Sequence, residues 1–434
     1  MLRAYIVLLL ILGSFAAGQP SYSQDQWRPL PRPTNEILFR LSFLDSLRGW
    51  VCGFNGTMLK TTNGGNSWET QNSGINTDIR RVFALNDRFA WALSFVHWVD
   101  TSTWFGTKIL KTTDGGTVWT NTEYPDWGEF FNSIVFKDSL NGWMGGEFGR
   151  MVRTTNGGET WIPVNVNPPS PWSLINIKFL TPELGFAMGG RIDIIGTIWK
   201  TTDGGLNWRT QGFPDPPSPE PVHDVHMVDS LHIVGITGDQ DYGASMLRSR
   251  NAGEDWDYTF LNIFGEPLAL SFRTEKEAWV PLGFAARMMY TPDTLHTWIE
   301  MDTPGRRAIY DLVFTDSLTG YAVGDSGTIL KFKPKATSVS EKNSHASGTF
   351  TLFQNYPNPF NPATTISFDL PLQSFVTLRV FNLLGQEVRT LVNQVREPGR
   401  HHVTFNAGDL PSGIYISRIR AGTAVQSSKM MLLR

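Results

Sequence analysis

The stretch Ser94-FVHWVDTSTWFG puts His97, Trp98, Asp100 and Trp104 within a few residues of one another, with Phe95 and Phe105 at its ends. Exposed aromatic rings beside a few polar groups do the chemistry of recognition. The rings supply contact area, and the polar atoms set orientation. Trp98, Asp100 and Trp104 are therefore the leading candidate ligand contacts. Smaller candidates are Arg191 in Arg191-Ile-Asp193 and Tyr242 in Asp239-Gln-Asp241-Tyr242. The competing role for the tryptophan-rich stretch is a two-strand extension whose rings pack on a neighbouring unit. Residue types for bond-making are present but not arranged for it. There is no Gly-rich phosphate loop, no His-Glu-x-x-His zinc motif and no nucleophile elbow. The eight histidines are scattered, and neither His223/His226 nor His401-His402 has further ligands at useful spacing. No spacing assigns three of Arg40, Arg80, Arg81, Arg191, Arg306 and Arg307 to one pocket. The expectation is a non-enzymatic chain with no catalytic residue, cofactor or metal.

The elements that position these residues come from an internal repeat. One segment recurs as Gly56-TMLKTTNGGNS-Trp68, Gly106-TKILKTTDGGTV-Trp119, Gly149-RMVRTTNGGET-Trp161 and Gly196-TIWKTTDGGLN-Trp208. Degenerate copies end at Trp256 and Trp298, and a seventh starts at Gly327. A second motif precedes each copy, as in Phe43-LDSLRGWVCG, Phe136-KDSLNGWMGG and Phe314-TDSLTGYAVG. Each unit thus reads as four short strands. The Trp-to-Trp spacings are 51, 42, 47, 48 and 42 residues, the period of β-propeller blades. The seventh copy lacks its Trp, and Gln26-Trp27-Arg28 stands one period before the first complete unit. An N-terminal strand is expected to complete the last blade, which makes seven. The Trp98 stretch then falls between the second and third strands of blade two. There Trp91 and Trp119 are 28 residues apart, against 18 for Trp50 to Trp68.

The repeated TT(D/N)GGxxW segment resembles the Asp-box, the bacterial-neuraminidase-type repeat. Asn63, Asp114, Asn156, Asp203 and Asn251 fit it, whereas at Asp293 the later Gly is replaced by Leu295. The Asp or Asn side chain accepts backbone N–H bonds across the turn, and Gly supplies positive φ. The box recurs with neutral Asn in half its copies, which argues for a structural turn and against a calcium site. Joined to the FxDSxxGWxxG motif, it is similar to the repeats of photosystem II assembly-factor-type propellers, over about residues 25 to 333. That resemblance implies the fold, and as one alternative function a chaperone-like assembly role. A sialidase-like glycoside hydrolase is the other alternative. It would need an Arg cluster, a Tyr–Glu pair and an acidic Asp.

Beyond Lys333 the character changes. A polar linker, 334–349, precedes about six or seven strands in residues 350–434, enough for a small immunoglobulin-like β-sandwich. Asn355-YPNPFNP, Val380-FNLLGQEV, Leu410-PSGIYI and Lys429-MMLLR closely resemble the type A C-terminal sorting domain of the type IX secretion system. The matching positions include Asn358, Pro359, Gly385, Gly413, Tyr415 and Lys429. The resemblance implies the type IX secretion machinery as a partner, and a secreted or outer-membrane-surface location in a Gram-negative bacterium. Residues 1–23 read as a signal peptide: Arg3, an apolar run from Ala4 to about Leu12, then small residues. The propeller is expected to span 24–333. No later stretch approaches the length of a transmembrane span. With 37 Lys/Arg against 40 Asp/Glu, the chain lacks the basic footprint of a nucleic-acid binder. Cys52, the only cysteine, reads as a small buried hydrophobe. The favoured function is an exported all-β binding or scaffold protein whose ligand is a protein or a glycan.

Overall fold

A computed structural model of the chain describes residues 26–96, 105–192, 194–211, 220–334, 350–370, 373–382, 386–421 and 424–433. It divides into two compact units, Met1–Lys335 and Ala336–Arg434. Both are built from strands, and no helix among the described residues is long and apolar enough to cross a membrane.

The first unit contains seven antiparallel sheets, one for each repeat. In the first sheet, Leu38–Phe43, Gly49–Gly53, Met58–Thr61 and Glu69–Thr70 pair in chain order. The second sheet repeats this order from Ile79–Ala84 to Thr120–Glu123, and the third from Phe131–Phe136 to Ile162–Pro163. The fourth carries an extra strand, Asn165–Asn167, parallel to Asn207–Gln211. In the seventh, the strands at Ile309–Phe314, Gly320–Gly324 and Ile329–Phe332 are joined by Trp27–Pro29. Trp27 lies opposite Phe332, as the missing seventh Trp predicts. The Trp27 ring is 1% exposed and meets Trp279, Phe314 and Phe332 edge-on at 5.3–5.6 Å.

Successive sheets are tied through their first strands. A short side chain on one strand accepts a backbone N–H from the next at five of the junctions. Ser42 Oγ takes Ala84 N at 3.0 Å, and Ser133 Oγ takes Ile177 N at 2.9 Å. Asp224 Oδ2 takes Leu270 N at 3.2 Å, and Ser271 Oγ takes Phe314 N at 2.9 Å. Asp311 Oδ2 takes Leu41 N at 3.0 Å, joining the seventh sheet to the first. Each bond satisfies a backbone donor that has no ladder partner on that side. The Gly-aromatic motif has a steric cause. A Cβ on Gly49, Gly142 or Gly320 would sit 2.6–2.7 Å from the ring of Phe43, Phe136 or Phe314. Only glycine lets that ring lie flat on the neighbouring strand.

The boxes lie where one sheet grips the next. Thr61 Oγ1 donates to Asn63 Oδ1 at 3.1 Å and accepts Gly65 N at 2.9 Å, while Asn63 Oδ1 accepts Ser67 N at 3.0 Å. The same bonds recur around Asp114, Asn156, Asp203 and Asn251. They also recur at Asp293, where Thr294 (φ 59) and Leu295 (φ 69) take the conformation that glycines adopt elsewhere. The departure at Leu295 therefore strains the turn without abolishing it. Trp91 Nε1 donates to Gly157 O at 3.2 Å, Trp143 Nε1 to Gly205 O at 2.9 Å, and Lys331 Nζ to Gly64 O at 2.8 Å. The tryptophan and lysine of the repeat thus hold the box of the adjoining sheet. Cys52 is fully buried, and burial pushes its thiol up to about 12, consistent with a packing role.

The second unit is a two-sheet sandwich. Ala363–Leu370 pairs with Thr351–Leu352 and Gly399–Asn406. The other sheet runs Glu387–Arg396, Ser374–Phe381, Gly413–Ala421 and Ala424–Leu432. Phe360, Ile366, Phe368, Leu378, Phe405 and Ile419 share one core between the sheets. The Asn-Pro block clips the last strand: Asn358 Oδ1 accepts Met431 N at 2.7 Å, and Phe360 N donates to Met431 O at 2.9 Å. Tyr415 is buried, with its hydroxyl donating to Pro411 O at 2.8 Å. Lys429 is exposed, and Gly385 lies outside the described residues.

Candidate functional site

The first strands of the seven sheets converge on one cavity of about 710 Å³, lined from every sheet. Its polar groups include Arg40, Arg81, Asn176, Lys178, Asp224 and Asp311. Each of these except Lys178 falls at the position that follows the bulge in a first strand; Ser133 holds this position in the third sheet. The bulge turns that side chain toward the shared axis. Lys178 pairs with Asp224 at 3.0 Å. Arg40 Nη1 donates to Tyr310 O at 2.8 Å, and an Arg81 Nη2 bond goes to Asn176 Oδ1. Desolvation, then the nearby Arg40 charge, lowers the Arg81 guanidinium to about 10. Burial pushes the Asp311 carboxyl up, although both its oxygens accept backbone N–H bonds.

At one end this channel opens into a second cavity of about 600 Å³. The end is defined by the start of the first strands and the turns between second and third strands. Phe39, Tyr310 and Arg80 come from the former, and Phe54 and Phe284 from the latter. Phe39 meets Phe54 at 4.7 Å, Phe284 meets Tyr310 at 5.6 Å, and the Arg80 guanidinium stacks 4.4 Å from the Phe39 ring. Phe284 is 71% exposed. Asn132, Glu266 and Arg40 are the other polar groups of this mouth. Nearby, the buried His223 donates from Nε2 to Gly238 O at 2.8 Å, and burial lowers its basicity.

Several expected residues fall on the same end. Tyr242 is half-exposed in the turn after Ile233–Asp239, where Asp239 Oδ1 accepts its N–H at 2.7 Å. Arg191 is exposed at the tip of a hairpin, opposite Ile195. Trp98, Asp100 and Trp104 lie outside the described residues. The ends of their stretch are described: Phe95 lines the mouth and meets Phe130 at 5.4 Å, and Phe105 meets Trp127 at 5.7 Å. Neither cavity gathers three of the six arginines, but two meet in each. Arg40 and Arg81 share the channel, and Arg40 and Arg80 share its mouth. Sequence spacing concealed this because equivalent positions of different repeats, some 40 residues apart, become neighbours around an axis. The mouth residues Phe39, Phe54, Phe284 and Tyr310 were missed as well. A usable signal existed. The residue at the bulge of six first strands reads Phe39, Arg80, Asn132, Ile175, His223 and Tyr310, varying while its neighbours repeat.

Burial, then Asp325, raises the Tyr310 phenol, the opposite of what a nucleophilic phenolate needs. Arg80 is paired with Asp78 at 2.9 Å. Among the described residues no cluster of three or more His, Cys, Asp or Glu could hold a metal.

Fold and site together define a β-propeller with an aromatic-lined mouth, followed in the chain by a small sandwich. Comparison with known proteins makes this more particular. Residues 354–433 match the family described as the secretion system C-terminal sorting domain. Residues 19–95 and 98–214 match the family described as photosynthesis system II assembly factor YCF48. The photosystem II assembly lipoprotein Ycf48 of Trichormus variabilis is 22% identical over 77% of this chain and 94% of its own. A solved structure of YCF48 bound to a D1 peptide superposes with a TM-score of 0.58 at 20% identity, over 74% of this chain and 99% of the other. PorZ, a surface component of the type-IX secretion system of Porphyromonas gingivalis, gives a TM-score of 0.51 at 11% identity, over 93% of this chain and 60% of its own. The C-terminal unit is thus a secretion-system sorting domain, and the first unit is a propeller of assembly-factor-like repeats.

Proposed function

We propose that the chain is an exported, non-catalytic binding propeller that holds a segment of another protein at its mouth. In this reading the seven sheets are seven blades of one closed ring, and the second unit is an immunoglobulin-like sorting domain read by the type IX secretion machinery. Residues 1–23 are the signal peptide, 24–333 the propeller, 334–349 the linker and 350–434 the sorting domain. The protein acts at the cell surface or beyond it. The observation that carries the binding role is the mouth itself: Phe39, Phe54, Phe284 and Tyr310 with Arg80 stacked among them. Exposed rings with a cation beside them suit apolar side chains of a polypeptide. The peptide-bound structure of a protein with the same fold supports a protein ligand over a glycan. Trp98, Asp100, Trp104, Arg191 and Tyr242 are proposed to extend the contact surface. Fold alone decides nothing about catalysis; the raised Tyr310 phenol supports the non-enzymatic reading.

A peptide library displayed on phage, selected on the full chain, tests the site. Phe284→Ala with Tyr310→Ala should weaken a selected peptide at least about tenfold, as hot-spot aromatics do. Folding should be unchanged by circular dichroism. Equal binding by the double variant would reject the mouth as the site. Selection by a glycan array and by no peptide would reject the protein ligand.

A further inference from the structure

We propose that the outer face of the four-stranded sheet in the C-terminal unit binds an extended acidic segment of a partner protein. The proposal does not rest on the mouth.

Side chains alternate across this sheet. Val376, Leu378 and Val380 go to the core, and Phe375, Thr377, Arg379 and Phe381 face out. On the adjoining strand Arg418 and Arg420 face out. The register sets Arg379 directly opposite Arg418, and Arg420 opposite Thr377. Two like charges directly opposite on a sheet repel, so the arrangement works against the unit's own stability. The one carboxylate on the face among the described residues is Glu387, which pairs with Arg379 at 3.2 Å. The Arg418 guanidinium lies over the Phe381 ring, 5.0 Å from its centroid, and its Nε is 3.4 Å from Ser427 Oγ. These groups line a trough of about 820 Å³. The surplus charge is local. Residues 350–434 hold eight Lys/Arg against four Asp/Glu, while the chain as a whole carries −3.

The geometry selects the ligand. Arg418 and Arg420 are two residues apart on one strand, about 7 Å along it. That is also the repeat of side chains on one face of an extended peptide. A segment with acids at alternate positions places a carboxylate on each guanidinium, in the two-pronged geometry that arginine favours. Phe375, 55% exposed, offers an apolar stop at one end of the trough, and Phe381 lies toward the other. A peptide enters such a trough more readily than the plane of a lipid surface does.

The test uses the full chain and two labelled peptides of equal composition, one with alternating Glu and Thr and one with a Glu block followed by a Thr block. Fluorescence anisotropy should show the alternating peptide binding at least about tenfold tighter, with affinity falling as salt rises. Arg418→Glu with Arg420→Glu should abolish the preference, and Arg418→Lys with Arg420→Lys should weaken it less. Should the Glu pair fail to fold, Arg418→Gln with Arg420→Gln must show the same loss. Phe284→Ala, which is expected to weaken only a peptide held at the propeller mouth, should leave the preference for the alternating peptide intact. Equal binding of the two peptides overturns the proposal, as does binding indifferent to Arg418 and Arg420 or lost on Phe284→Ala. Arg418-dependent adsorption to phosphatidylglycerol vesicles without peptide binding would also overturn it, by assigning the face to lipid.

Discussion

At the box end of the propeller, six turns repeat one hydrogen-bond pattern, with Thr or Ser at one position and Asp or Asn two residues on. At the mouth end, the matching position of the six bulged first strands holds Phe39, Arg80, Asn132, Ile175, His223 and Tyr310. The strands are the same, so the difference cannot come from the scaffold. The box end repeats because each turn meets the same neighbours: a tryptophan or lysine of the adjoining sheet and its own Thr. The mouth varies because its side chains face a cavity and not a repeated neighbour, which is the room that the proposed ligand would use. Repetition marks what holds the ring of sheets together; departure from repetition marks what the ring presents.

The largest effect expected from breaking the scaffold side lies at Trp27. It is 1% exposed between the sixth and seventh sheets, in a strand that the N-terminal segment lends to the seventh. Trp27→Ala should cost about 3–5 kcal/mol in urea unfolding, the usual loss for a buried tryptophan. A loss under about 1 kcal/mol would mean that this strand is not part of the closure. The mouth variants provide the contrast. Phe284→Ala should leave stability within about 0.5 kcal/mol, as exposed substitutions do, while ligand binding falls. If both variants destabilised alike, the division between holding and presenting would fail.

A smaller effect sharpens the comparison inside the box end itself. The sixth box keeps the common hydrogen bonds although Thr294 stands, at φ 59, where the first four boxes have their first Gly and the fifth has Ala252. A β-branched residue in that region is strained by about 1 kcal/mol or more. Thr294→Gly should therefore stabilise the chain by about 0.5–1 kcal/mol, seen as a higher melting temperature. An unchanged or lower value would show that the surroundings already absorb the strain.

Much of this was legible in the sequence, and for definite reasons. The strand order, the loan of Trp27 and the box turns follow from a repeat whose physics is local: a Gly under a Phe ring, a Thr two residues before an Asx. Around the axis the logic is different. Arg40, Arg81 and Asp311 meet only after seven chain segments have been placed, and no local pattern records that meeting. The sorting motif divides the same way. Asn358 and Tyr415 turn out to clip a strand and fill a core, whereas the outward arginines 379, 418 and 420 belong to no quoted motif. Their alternation was visible; their alignment across strands required the register.

The smallest predicted effect concerns the charge in the boxes. Asp203 and Asn63 make the same backbone bonds, so a carboxylate is not needed for the turn. It does add a pH dependence. Burial works against the ionised form of Asp203, yet the side-chain and backbone bonds from Asn207, with those from Thr201 and Leu206, hold its carboxyl at about 2, against 3.8 unperturbed. A pKa lowered in the folded state means that the unfolded chain binds the proton first. The resulting stability is complete above about pH 4 and is lost as pH falls toward 2. Asp203→Asn should thus leave stability near neutral pH almost unchanged and flatten the acid limb of the unfolding curve. Thermal melts of both chains at pH 7, 4 and 3 measure this. An identical acid limb would show that the box carboxylate is as replaceable in acid as at neutrality, and would make the Asp and Asn boxes of this propeller equivalent in every respect that stability can report.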